Sequence, residues 1–308
     1  MNAKKNRKNP GSAKSRGPGQ HRRPIENEEP HSNERTPMPE SSERKRFNAP
    51  LWAGAVVVIG LVIVIGVNIF GSKDHLTVDS LNTPAVAALD GGSEVYPANS
   101  KLAFTENTKF GYLPAPTLAK LGDDTIVAAD PENAPKAMGI KGGLAKLDRK
   151  TFLDQTIKPP RKDTAPGEPI TWDQLVDLSG GNTVLMPLIE DASVAGLALD
   201  KVAEAGDQEA VIVRTSNPEV AKVASEAEIA VMFSGDPATV KASDIENEGF
   251  TMVAVSADNL DNWLDSGLDV WATGVKDKEQ LTELAKQGLF GALSTNPYTI
   301  QPSDVKTD

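Results

Sequence analysis

The 308-residue sequence predicts an α/β chain: a (β/α)8 barrel outside a membrane, preceded by one transmembrane helix and a disordered basic tail. Three observations predict it. Beyond Gly180, short β-branched or apolar runs alternate with amphipathic ones. From Ala49 to Gly71 no side chain is charged. Before that run the chain is rich in Pro, Gly, Ser, Asn and charge, and nearly free of large apolar residues.

The charge-free run sets the organisation. Asn68 is its only strongly polar residue, with Trp52 near one end and Phe70 near the other. About 20 apolar residues at a 1.5 Å rise span a hydrocarbon core of about 30 Å. A cleaved signal peptide would carry an apolar core of about 7–15 residues and a small-x-small cleavage site. This run is longer, starts 48 residues in, and ends Asn68-Ile69-Phe70-Gly71, so an uncleaved anchor over 49–71 is expected. Arg44, Lys45 and Arg46 directly precede the span, whereas Lys73 is offset by Asp74. The positive-inside rule then puts residues 1–48 in the cytoplasm and 72–308 outside.

Charge divides the chain the same way. Residues 1–50 hold twelve Lys or Arg and six Glu, whereas the other 258 hold 20 basic and 37 acidic side chains. The tail cannot bury enough apolar area to offset its ordering entropy, so disorder is expected. Two readings of it stand: a topology determinant that lies against anionic lipid, or a docking strand for a cytosolic protein over Pro24 to Glu43. In the second, Ile25 and Met38 are the only large apolar side chains able to fill a partner's pocket. Nothing aromatic interleaves the basic residues, which argues against nucleic acid as a partner. Cysteine is absent, which excludes disulfides, thiolate metal sites and Cys nucleophiles.

The outer region reads as repeated strand and helix units. Strands are expected at Val184 to Ile189, Ala210 to Thr215, Glu228 to Phe233, Met252 to Ser256, Val270 to Thr273 and Gly291 to Leu293. A helix over Ala192 to Ala205 ends at Gly206, another begins at Asn217-Pro218, and a third covers Lys278 to Lys286 before Gly288. The amphipathic stretch Asn259 to Leu264 lies between two of the strands. Thr171-Trp172-Asp173-Gln174 reads as a helix N-cap and first turn. Strands buried on both faces with helical crossovers specify a parallel sheet. Six units with no Gly-rich dinucleotide loop fit a TIM-like barrel better than an open sheet.

Several stretches in consistent order carry a resemblance. They are Gly122-Asp123 through Ile126-Val127-Ala128-Ala129-Asp130-Pro131, then Gly142 to Leu147, then Pro169 to Leu175. The C-terminal set is Val270-Trp271, Glu279 to Leu284, Gly288, Gly291 and Ser294-Thr295-Asn296-Pro297. From about Gly122 to Pro297 the chain resembles the glycerophosphodiester phosphodiesterase family, which implies a TIM barrel. In that family two histidines do acid and base work and carboxylates hold a divalent metal. Here the match to the second histidine is Ala129, beside a retained Asp130, and residues 75–121 show no His-Arg-Gly signature in a defensible register. The expected carboxylate pair falls near Tyr96 to Ala98 or Leu113 to Pro116, and neither supplies two acids. The metal-binding Glu aligns with Leu188 or slips to Glu190.

The histidine inventory points the same way without any alignment. The chain has three: His21 and His31 in the tail, and His75 just past the membrane. Acid–base chemistry needs a group of suitable pKa within hydrogen-bond reach, and from Leu76 onward there is neither His nor Cys. The barrel is therefore expected to be non-catalytic, with no cofactor implied. Ligands of such barrels sit at the C-terminal strand ends, which makes Asp130, Glu190, Asp191, Arg214 and Trp271 the candidate pocket residues. Arg214 would hold a phosphate or carboxylate bidentately, or pair with Glu190 or Asp191 across strands. Trp271 would stack on a sugar or glycerol, or pack into the wall. The acids form no metal-loop motif. The expected function is a membrane receptor or scaffold in envelope assembly or cell division, binding an envelope ligand or protein outside and a cytosolic protein inside. The alternative is a divergent membrane-anchored hydrolase of glycerophosphodiesters.

Overall fold

Parallel strands dominate the computed structural model, which describes residues 75–301. The tail 1–48 with Ile25 and Met38, and the apolar run 49–71, lie outside the described residues. Among the described residues no helix is long and apolar enough to cross a membrane.

The strands are β1 (Ala85–Leu89), β2 (Leu113–Ala115), β3 (Leu118–Lys120), β4 (Ile126–Ala128), β5 (Ile212–Thr215), β6 (Ala230–Phe233), β7 (Met252–Ser256), β8 (Asp269–Thr273) and β9 (Gly291–Ser294). Seven of them form one parallel sheet in the order β2-β1-β9-β8-β7-β6-β5. Residues 184–190 join its two edges and close it as an eighth parallel segment. Met186 and Leu188 donate N–H to the carbonyls of Pro114 and Pro116 at 2.8 Å each, while Leu185 and Ile189 donate to Ala210 and Arg214. Pro187 has no N–H to give, so the closing ladder lacks one rung toward β5. The result is a closed parallel barrel of the expected TIM-like α/β kind.

Period-two alternation sorts each strand into an inner and an outer face. Ala85, Ala87, Leu113, Ala115, Val184 and Met186, with Ile212, Met232, Met252, Ala254, Trp271 and Leu293, form the barrel interior. Their neighbours pack outward against helices such as Ala192–Ala205 and Pro218–Glu226. Interior volume is shared unevenly: β1 supplies alanines, and Trp271 fills the space they leave. A Cβ on Gly291 would stand 2.6 Å from the Trp271 ring, so β9 can pass that ring only as glycine. The partly buried Leu76, Val78 and Leu81 pack against this interior core.

Residues 75–121 hold the first two barrel strands, whose Ala-Val-Ala-Ala-Leu and Leu-Pro-Ala sequences carry little β signal. The amphipathic stretch Asn259 to Leu264 forms turns. The segment just before Asp130 forms β4, paired antiparallel with β3 outside the barrel. That hairpin carries a lobe over residues 134–168 with its own apolar centre, in which Leu144 and Phe152 meet Leu121 and Val127.

Candidate ligand site at the barrel mouth

The alternation that builds the interior also fixes what faces the mouth. One step beyond Met232, Ala254 and Trp271 come Ser234, Ser256 and Thr273, and one step beyond Ile212 comes Arg214. These four line a cavity of about 830 Å³, with Lys241 and Trp263 contributed by loops. The volume is that of a small-molecule site.

Arg214 is its most constrained member, only 4% exposed. Nε donates to the Met186 carbonyl at 2.8 Å, and Nη2 reaches the carbonyls of Ala115 and Pro116 at 3.2 and 3.3 Å. Burial pulls its pKa down to about 10 although Asp90 and Glu190 oppose that shift. Arg214 makes no ion pair with another described residue. Glu190 turns instead to the loop after β5, where its carboxylate accepts from the Ser216 backbone N–H and hydroxyl. Asp191 caps the helix Ala192–Ala205 by accepting from Ser193 N at 2.8 Å, and that bond holds its carboxyl below the ordinary range. The cross-strand pairing weighed for Arg214 is absent among the described residues, and so is a free bidentate edge. With Nε and Nη2 bound to carbonyls, Nη1 is the nitrogen left for a ligand.

The other candidates stand apart from the cavity. Trp271 is fully buried in the interior layer beneath the mouth, so the stacking role is corrected to wall packing. Asp130 closes a turn beyond β4, accepting from Glu132 N, Asn133 N and the Asn133 amide. Ala129, matched to the family's second histidine, is buried in the small hairpin core. Leu188, matched to the metal-binding Glu, follows Val184 and Met186 on the inner face. His75 lies at the opposite end of the barrel, its Nδ1 3.4 Å from Asp207 and the next residue's N–H bonded to Gly181 O. Among the described residues no group of three His, Cys, Asp or Glu side chains is placed to hold a metal ion.

Sequence reasoning missed two features. Asp90 follows β1 with φ +50° and accepts from the Asn99 amide at 2.9 Å and the Thr117 hydroxyl at 2.7 Å. An Asp before Gly91-Gly92 is a signal for that left-handed turn. Trp263 lies in the amphipathic stretch Asn259 to Leu264, and the turns that stretch forms bring it to the mouth.

No protein-family model and no curated protein matches the sequence. Solved structures do match in fold. A glycerophosphodiester phosphodiesterase from Agrobacterium tumefaciens is 11% identical with a TM-score of 0.62, covering 71% of this chain and 99% of its own. An Oleispira antarctica phosphodiesterase, solved with the product sn-glycerol-3-phosphate, is 15% identical with a TM-score of 0.62 over 71% and 96%. A glycerophosphoryl diester phosphodiesterase domain from Mycobacterium tuberculosis is 15% identical with a TM-score of 0.58 over 70% and 97%. At such identities the likeness defines the fold: a TIM-like barrel of the shape these phosphodiesterases share.

Proposed function

We propose that the barrel is the non-catalytic, ligand-binding part of a single-pass membrane receptor or scaffold. The mouth layer carries the reading. Arg214, Ser234, Ser256 and Thr273 bind and orient polar groups but are not suited to moving protons near neutrality, and the Asp236 carboxylate on the same cavity is engaged by Ala238 N at 3.0 Å. The single histidine of the described residues lies at the far end of the barrel. A buried guanidinium with one free nitrogen, hydroxyls beside it and the Trp263 indole at the wall suit a polar ligand bearing an anionic group.

The same proposal extends to the cell. The charge-free run 49–71 anchors the chain, the barrel meets an envelope ligand or protein outside, and the tail docks a cytosolic protein through Ile25 and Met38. A role in envelope assembly or division is consistent with a chain that has parts on both sides of a membrane. A second reading, a divergent membrane-anchored hydrolase of glycerophosphodiesters, is favoured by the fold likeness to phosphodiesterases. A turnover assay on these diesters separates the two: the first reading expects none, the second expects product.

A further inference from the structure

The lobe between β4 and the helix Trp172–Ser179 has a charge opposite to the rest of the domain. Residues 134–168 hold eight basic side chains and four acids, a net +4. The remaining residues of 75–301 hold ten basic and 30 acidic side chains, a net −20. The lobe is a folded platform and not a loose loop. Leu144 and Phe152 anchor it to the hairpin, Gly122 N donates to Leu147 O, and Lys158 N donates to Ala137 O.

Its two arginines are committed internally, Arg149 in a two-pronged pair with Asp173 and Arg161 to the Glu94 carbonyl. Its six lysines, Lys136, Lys141, Lys146, Lys150, Lys158 and Lys162, are exposed and make no ion pair with another described residue. Outside the lobe, Lys109, Lys120, Lys201, Lys222, Lys276 and Lys286 pair with acids, and only Lys101, Lys241 and Lys278 make no ion pair with another described residue.

We propose that this basic lobe docks an extended polyanion, a polymer carrying repeated carboxylate or phosphate groups. Lysine ammonium groups on flexible stems suit many loose contacts with repeating charges better than one fitted site. The lobe exposes no large apolar or aromatic side chain, which removes the anchors that protein hot spots and inserted membrane helices rely on. The acidic remainder repels such a polymer elsewhere, so the charge pattern also orients it on the domain. This surface is separate from the mouth cavity, and the proposal stands whether or not the mouth is catalytic.

The test uses the full chain in nanodiscs of neutral lipid, with the twelve Lys and Arg of residues 1–50 changed to Gln in every sample so that the tail cannot capture the probes, and with polygalacturonate and long-chain polyphosphate as immobilised probes. Binding at low salt should weaken more than about tenfold between 50 and 200 mM salt as counterions compete. K141E/K146E/K150E should weaken it more than about tenfold, while the equal charge change K222E/K278E/K286E should leave it within about threefold. Circular dichroism confirms that both variants stay folded. The proposal is overturned if the parent binds neither polymer, if both variants lose binding equally, or if the lobe variant retains it. Preferential capture of phosphatidylglycerol vesicles over both polymers overturns it in favour of a membrane contact.

Discussion

Arg214 Nε donates to the Met186 carbonyl at 2.8 Å, in the place where residue 116 would give its N–H were it not proline. The flanking rungs fix that register: Met186 N bonds Pro114 O, Leu188 N bonds Pro116 O, and Leu118 N bonds Leu188 O. The rung between them has no backbone donor, and a side chain from β5 supplies it. The residue best placed to meet a ligand therefore also completes the wall of the barrel.

This double duty predicts the stability of Arg214 variants. Arg214→Met leaves a buried carbonyl without a donor and should cost roughly 2–4 kcal/mol. Arg214→Lys, which keeps one donor group, should cost less. Urea unfolding of residues 72–308 provides the comparison. Equal stability of Arg214→Met and the parent would show that the contact to Met186 carries no weight.

A second prediction concerns Trp271 and Gly291. A Cβ on Gly291 would lie 2.6 Å from the indole and 2.7 Å from the Ala85 carbonyl oxygen. Gly291→Ala should destabilise by about 1–3 kcal/mol through overpacking. The indole N–H is buried without an acceptor among the described residues, so Trp271→Phe leaves no orphaned acceptor. Combined with Gly291→Ala, it should recover part of the loss, a positive coupling in a double-mutant cycle. Strict additivity would contradict the packing.

These contacts also show what the sequence made legible. The six strands beyond Gly180 were readable because β-branched runs sit between Gly, Asp and Pro. The first two were not, because alanine and proline give no strand signal and only closure of the barrel makes strands of them. Arg214 was found from its place at a strand end. Trp271 was misplaced by one layer: it shares the inner face with Thr273 but lies a full alternation below the mouth. The Met186 contact depends on three segments far apart in sequence, and no local pattern carries it.

Acid should loosen the lobe. Asp123 accepts from Arg149 N at 2.9 Å and Asp148 from Thr151 N at 2.7 Å, and these backbone bonds hold both carboxyls below their ordinary 3.8. A depressed carboxyl stabilises the fold above its unfolded pKa, and that contribution is lost as pH falls through the lower, folded value. Amide exchange at Arg149 and Thr151 should therefore gain little protection above pH 5 and lose it below about 3.8. Asp123→Asn should remove most of the pH dependence at Arg149. Unchanged dependence in that variant would reject the assignment.

The tail gives a prediction independent of the barrel. If Pro24 to Glu43 orders on a cytosolic protein, replacing Ile25 and Met38 with Ser should abolish capture while every charge remains. A tail held only by anionic lipid would instead respond to neutralising Arg44, Lys45 and Arg46, at about 1 kcal/mol per residue. Recovery of cytosolic proteins on tail peptides at low and high salt distinguishes them. Capture that survives the Ser changes but not moderate salt would leave the lipid role alone.

Whether the mouth binds or cleaves is tested most directly by following glycerophosphodiesters with phosphorus NMR in the presence of the full chain, with and without Ca²⁺ or Mg²⁺. The account predicts that the intact diester signal persists at the rate of a protein-free blank. Accumulating glycerol phosphate that disappears in Glu190→Gln or Asp130→Asn would contradict it and make the barrel an enzyme.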